Sequence, residues 1–155
     1  MTSARRAFYG ALGGLGGALA LTGFRKVMAG FGLVGTTAPE QVIERLEELR
    51  VLDGLSPEAR RVLAAIAHLA YGVGTGTALG LLRREHGETV EEASVGSALG
   101  VLAWGAGWSS WLPLAGVHQP PWEQHSSKVL LPVLDHAVYG ATWGVIYRAT
   151  RPDQD

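Results

Sequence analysis

Four long apolar stretches alternate with short polar segments, and each is long enough to predict a membrane-crossing helix. They run from about 7 to 34, 58 to 84, 90 to 112 and 127 to 149. Each matches the roughly 20 residues that cross a hydrocarbon core of about 30 Å. The first reads AFYGALGGLGGALALTGF and continues past Arg25-Lys26 into VMAGFGLVG. The second, VLAAIAHLAYGVGTGTALGLL, is too uniformly apolar for a half-exposed soluble helix. Moderate hydropathy throughout suits helices packed on one another rather than lone anchors. The expected fold is all-α: one integral membrane domain, a four-transmembrane-helix bundle.

Local chemistry sets the expected boundaries. Thr37-Ala38-Pro39-Glu40 has the form of a capping box and opens a short amphipathic helix over about 38–50. Val42, Leu46 and Leu49 share one face of it, so it is expected to lie at the membrane interface between spans 1 and 2. Ser56-Pro57 starts the second span with proline where its missing amide costs nothing. Gly87 is expected to end that helix, Thr89 to Glu92 to form a second capping box, and Pro113 to close the third span.

Alignment of the spans on their glycines exposes a repeat. The first carries Arg6-x-x-Tyr9-Gly10-x-x-x-Gly14 and the second His68-x-x-Tyr71-Gly72-x-x-x-Gly76. The third carries Glu92-x-x-Val95-Gly96-x-x-x-Gly100 and the fourth His136-x-x-Tyr139-Gly140-x-x-x-Gly144. Residues four apart share a helix face, so each span presents a smooth seam where a neighbour's backbone can approach. These eight glycines are the expected helix-packing positions.

One turn before two of the seams stand His68 and His136, at matching depth if the second and fourth spans run the same way. An ionisable residue at membrane depth is a functional hypothesis by default. Three roles are open. The imidazoles pin the packing through Tyr71 or Tyr139, they ligate haem or a metal, or they form a proton- or ligand-responsive site. Asp135 adjoins His136 but points about 100° away around the helix, and Glu92 is accounted for by its cap. Trp104, Trp108 and Trp111 read as an interfacial aromatic belt. His118 and His125 flank Pro120-Pro121-Trp122 and add two metal-ligand candidates to His68 and His136.

Composition narrows the function classes. The 155 residues carry 13 basic and 14 acidic side chains, which leaves no electrostatic footprint for nucleic acid. With no cysteine, disulfides, thiolate metal sites and cysteine nucleophiles are excluded. Walker loops, His-Glu-x-x-His, Gly-x-Ser-x-Gly and paired carboxylates within a span are missing too, so hydrolase and nucleotide chemistry lack support. Ala4-Arg5-Arg6-Ala7-Phe8 imitates a twin-arginine export signal, with Ala18-Leu19-Ala20 resembling a cleavage site. The alternative, a first span held by cytoplasmic arginines, agrees with Arg83, Arg84, Arg148 and Arg151 near other span ends. Both termini are then cytoplasmic; Arg45, Arg50, Arg60 and Arg61 in the 36–61 segment run against that orientation.

These features together resemble the YagU-like and related small bacterial inner-membrane proteins of unknown function. The resemblance rests on the Gly/Ala-rich first span, the exit from Gly32-Leu33 to Pro39-Glu40, and His68-Leu-Ala-Tyr71-Gly72. Trp111-Leu-Pro113 followed by Pro120-Pro121, and the closing His136-Ala-Val-Tyr139-Gly140, complete it. It implies a four-span protein of the bacterial cytoplasmic membrane and brings no reaction with it. The expected function is that of a structural, accessory or proton- or ligand-responsive component in the lipid bilayer, alone, as a homo-oligomer or within a larger membrane complex. A haem- or metal-binding redox protein using His68 and His136 is one alternative, and an oligomeric channel or transporter another.

Overall fold

The computed structural model describes residues 1–83, 87–124 and 126–151, without the side chains of 121 and 126–128. Among these residues every regular element is helical. In order they are α1 (Ser3–Gly30), α2 (Ala38–Glu48), α3 (Pro57–Leu82), α4 (Thr89–Ser109), α5 (Trp111–Leu114), a 3₁₀ turn (Pro121–Glu123) and α6 (Ser126–Thr150). Three of them, α1, α3 and α6, are long and apolar enough to cross a membrane. With 21 residues, α4 is shorter, and its first turn carries Glu91 and Glu92.

The caps follow partly as expected. Thr37 and Glu40 form the reciprocal capping box at α2, and Ser56 caps α3 with proline in its first turn. The second capping box does not form: Glu88 is the N-cap of α4 and contributes no side-chain bond. The Glu92 carboxylate is drawn away, accepting from Arg83 Nη2 at 2.7 Å and from the Gly87 amide at 2.7 Å. A buried ion pair with an added amide outcompetes a local cap. The helix before it stops at Leu82, not Gly87, with Arg83 already extended. At the far end of α4 the break falls at Ser110, and Pro113 sits inside the short α5 instead of closing α4. On α2 the buried residue is Ile43; Val42 and Leu46 are half-buried and Leu49 is exposed. The expected stripe is thus rotated toward Ile43, and Glu47 on that helix pairs with Arg60 of α3 at 2.6 Å.

Two antiparallel hairpins make the bundle. In the first, Gly10 and Gly14 of α1 lie on Gly72, Gly76 and Gly80 of α3. In the second, Gly96 and Gly100 of α4 lie on Gly140 and Gly144 of α6. Backbone meets backbone at both seams, so a Cβ added at Gly76 would stand 2.5 Å from Gly14 Cα, inside any real contact. A second glycine face of α1, at Gly13, Gly16 and Gly17, receives Trp143, Ile146 and Tyr139 of α6. That places α1 between α3 and α6, and α6 between α1 and α4.

Between α3 and α6, which run parallel, the gap is bridged by aromatic side chains. Tyr139 Oη donates to Gly72 O at 2.7 Å, Trp143 Nε1 to Gly76 O at 3.2 Å, and Tyr147 Oη to Gly80 O at 3.1 Å. The donors are four residues apart and so are the acceptors, which makes a ladder. Glycines 72, 76 and 80 serve twice: their bare Cα atoms admit α1, and their unshielded carbonyls accept from α6. Removal of one rung by Tyr139→Phe or Tyr147→Phe leaves packing intact and should cost about 0.5–1.5 kcal/mol. Thermal unfolding in detergent checks this, with Tyr9→Phe, outside the ladder, as the comparison.

Candidate functional site

The fully buried charged side chains lie at opposite ends of the bundle. At the end holding the chain termini, Glu92 pairs with Arg83, and Arg151 lies 5.1 Å over the Tyr147 ring. At the other end, where α2 and the 110–125 loop sit, Asp135 of α6 is fully buried and ion-paired with Arg25 of α1. Sequence reasoning misses the second pair, because Arg25 reads there as an interruption of the first span. In three dimensions it is the counter-charge that lets an aspartate enter the core.

Around that pair the structure brings both core histidines. His68 Nε2 lies 3.2 Å from Thr22 Oγ1 and 3.3 Å from Ala18 O. Thr22 already donates its hydroxyl proton to Ala18 O at 2.8 Å, so both neighbours accept and Nε2 carries the imidazole proton. His136 Nδ1 lies 2.7 Å from Pro132 O and therefore donates there. Each imidazole is left with one nitrogen free to take a proton, Nδ1 on His68 and Nε2 on His136. Neither ring bonds a tyrosine: Tyr139 is committed to Gly72 O, and Tyr71 is half exposed.

A cavity of about 40 Å³ separates these groups, lined by His68, Tyr71, Gly72, Trp104, His136 and Tyr139 among others. It has room for water and none for a macrocycle. Among the described residues no three His, Asp or Glu side chains converge as metal ligands. His118 lies in the loop, its Nδ1 2.7 Å from Gln119 O, and His125 lies outside the described residues.

The tryptophans do not form the expected belt. Trp104 stacks against His136 with centroids 5.9 Å apart, and Trp108 is buried between Trp104 at 5.7 Å and His118 at 4.0 Å. Of the three, Trp111 alone remains substantially exposed. The helix turns Trp104 and Trp108 inward because imidazole partners wait there, which no spacing rule for α4 alone can reveal.

A wider cleft of about 440 Å³ opens between α2 and the start of α3, bordered by Glu40, Glu44, Arg60 and Arg61. Two of these charges are already engaged, Glu40 in its cap and Arg60 with Glu47. The cluster of half-buried Arg25, His68 and His136 around the buried Asp135 is therefore the candidate site. Compared with protein-family models, curated proteins and solved structures, the chain matches none of them.

Proposed function

We propose that the chain is a four-span protein of a bacterial cytoplasmic membrane, with both termini cytoplasmic, and that it acts as a proton-responsive component and not as an enzyme. The carrying observation is that His68 of α3 and His136 of α6 line one small cavity, while Asp135, the chain neighbour of His136, is ion-paired with Arg25 of α1. Support for the membrane setting comes from the inverted arrangement of side chains. Phe8, Leu12 and Leu19 of α1, Ile66 of α3, Leu102 of α4 and Leu130 of α6 face outward, while glycine, tyrosine, tryptophan and charge fill the interior. The α4 helix takes part as the fourth span because its outward face is apolar and its seam with α6 is closed. Ala18, within the cleavage-like Ala18-Leu19-Ala20, is fully buried in the core, which favours α1 as a resident span. The YagU-like resemblance agrees with this setting.

Imidazole changes charge between about pH 5 and 8. A proton arriving at His68 Nδ1 adds a second cation beside the Arg25–Asp135 pair. Asp135 has the means to answer it, since one carboxylate oxygen holds Arg25 and the other, Oδ1, has no partner among the described residues. Other groups facing the cluster are Tyr71 and Tyr139; α4 supplies Trp104 there, its acids Glu91 and Glu92 being in its first turn. Protonation thus redistributes one carboxylate between two cations on α1 and α3, the helices that flank the seam.

The aromatic ladder bears on which side of the site is aqueous. Tyr139, Trp143 and Tyr147 close the path toward the terminal end, which speaks for a sensor over a conduit. Tryptophan fluorescence in proteoliposomes tests this, since a rearrangement at His68 that shifts Trp104 against His136 alters the indole emission. Stepping the external pH from about 8 to 5, across the imidazole range, should change the emission reversibly, and His68→Gln should abolish the change. A sustained proton leak through wild-type liposomes, lost in His68→Gln, would instead favour the transporter reading.

A further inference from the structure

Three buried ring nitrogens without a partner among the described residues belong to rings in contact with one another: Trp104 Nε1, Trp108 Nε1 and His118 Nε2. Trp104 lies against His136, Trp108 against Trp104, and His118 against Trp108, at centroid separations of 5.9, 5.7 and 4.0 Å. The line begins at the cavity and ends in the 110–125 loop, where His118 is partly exposed. A buried indole N–H with no acceptor costs about 1–3 kcal/mol unless water satisfies it. One such atom is an incidental defect of packing. Three on successive rings that lead to the cavity call for a common explanation.

We infer that this file is a water-lined entry by which protons reach the cluster from the loop end of the bundle. The inference rests on the proton-responsive reading and adds the route to it. The ring nitrogens hold waters without relaying protons themselves, because an indole donates and cannot accept. The waters do the relaying, and His118 at the mouth, with one nitrogen against Gln119 and Gln124, gathers protons from solvent. The opposite direction is shut. Trp143 Nε1, the buried indole one helical step beyond, is already committed to Gly76 O, and its ring stacks on Tyr147 at 4.9 Å. The groups that face the path are His118 in the loop, Asp135 and His136 on α6, His68 and Tyr71 on α3, and Arg25 on α1.

Trp143 also supplies the internal control. In nanodiscs containing wild-type protein labelled with ¹⁵N-tryptophan, the indole signals are assigned by single Trp→Phe variants, and exchange with water is followed by NMR. The hydrated path predicts water cross-peaks at Trp104 and Trp108, with exchange roughly tenfold or more faster than at the hydrogen-bonded Trp143. Protection of Trp104 and Trp108 equal to that of Trp143, without water cross-peaks, overturns the route. The fluorescence response to external pH, read on the same preparation, separates the two proposals. Dry indoles with an intact response sink the route alone, whereas wet indoles with no response sink the sensor reading and leave the path standing.

Discussion

Gly96→Ala and Gly140→Ala should each destabilise the bundle by about 1–3 kcal/mol, while Gly74→Ala and Gly105→Ala should stabilise it by about 0.5–1 kcal/mol. The substitution is identical and the sign reverses. At Gly140 an added Cβ would press into Gly96 O and its carbonyl carbon, and at Gly96 into Gly140 O, so two helix backbones must separate along the seam. Flexible side chains cannot absorb that displacement. At Gly74 and Gly105 nothing lies within 4 Å of the new atom, and alanine simply lowers the entropy lost on forming the helix. Thermal unfolding of the four variants in one detergent measures the contrast. Equal losses at all four positions would contradict the seam as the basis of packing. Thr75, off the glycine stripe in sequence, is a poor control because it lines the cavity.

The second large effect concerns the ion pair. Arg25→Met should cost about 3–5 kcal/mol, since it strands a fully buried Asp135 without its counter-charge. Arg25→Met with Asp135→Leu should recover most of that loss, because removing both charges removes the desolvation that made the single change costly. The double variant is then expected to fold and to lose the pH response, which separates stability from function. A double variant no more stable than Arg25→Met would mean that the pair acts through packing and not through charge.

How far the sequence reveals this molecule differs between its parts. The seams are legible because small residues four apart describe one face of a helix, whatever lies opposite. Gly10, Gly14, Gly72, Gly76, Gly96, Gly100, Gly140 and Gly144 all stand in the two backbone contacts. His68 and His136 are legible as ionisable groups in apolar runs, and the structure places both on one cavity. Their partners are not legible, because partnership here is long-range: Arg25 and Asp135 are 110 positions apart. Glu92 misleads for the same reason, its local capping pattern losing to Arg83. The tryptophans of α4 have the composition of a membrane belt, yet Trp104 and Trp108 turn inward toward histidines on other segments. The aromatic ladder is equally hidden. Tyr139, Trp143 and Tyr147 announce a helix face by their spacing, but only the bare carbonyls of α3 show what that face is for.

The most direct measurement is ¹⁵N-histidine NMR of the protein in nanodiscs over a pH series. His68 is expected to begin as the Nε2–H tautomer and to gain its second proton at Nδ1 as the pH falls, with the Asp135 carboxylate signal, read by ¹³C-aspartate labelling of the same sample, moving in step. His68 unchanged across the whole series, or its signal moving identically in wild type and in Asp135→Asn, would contradict a proton site built on this cluster.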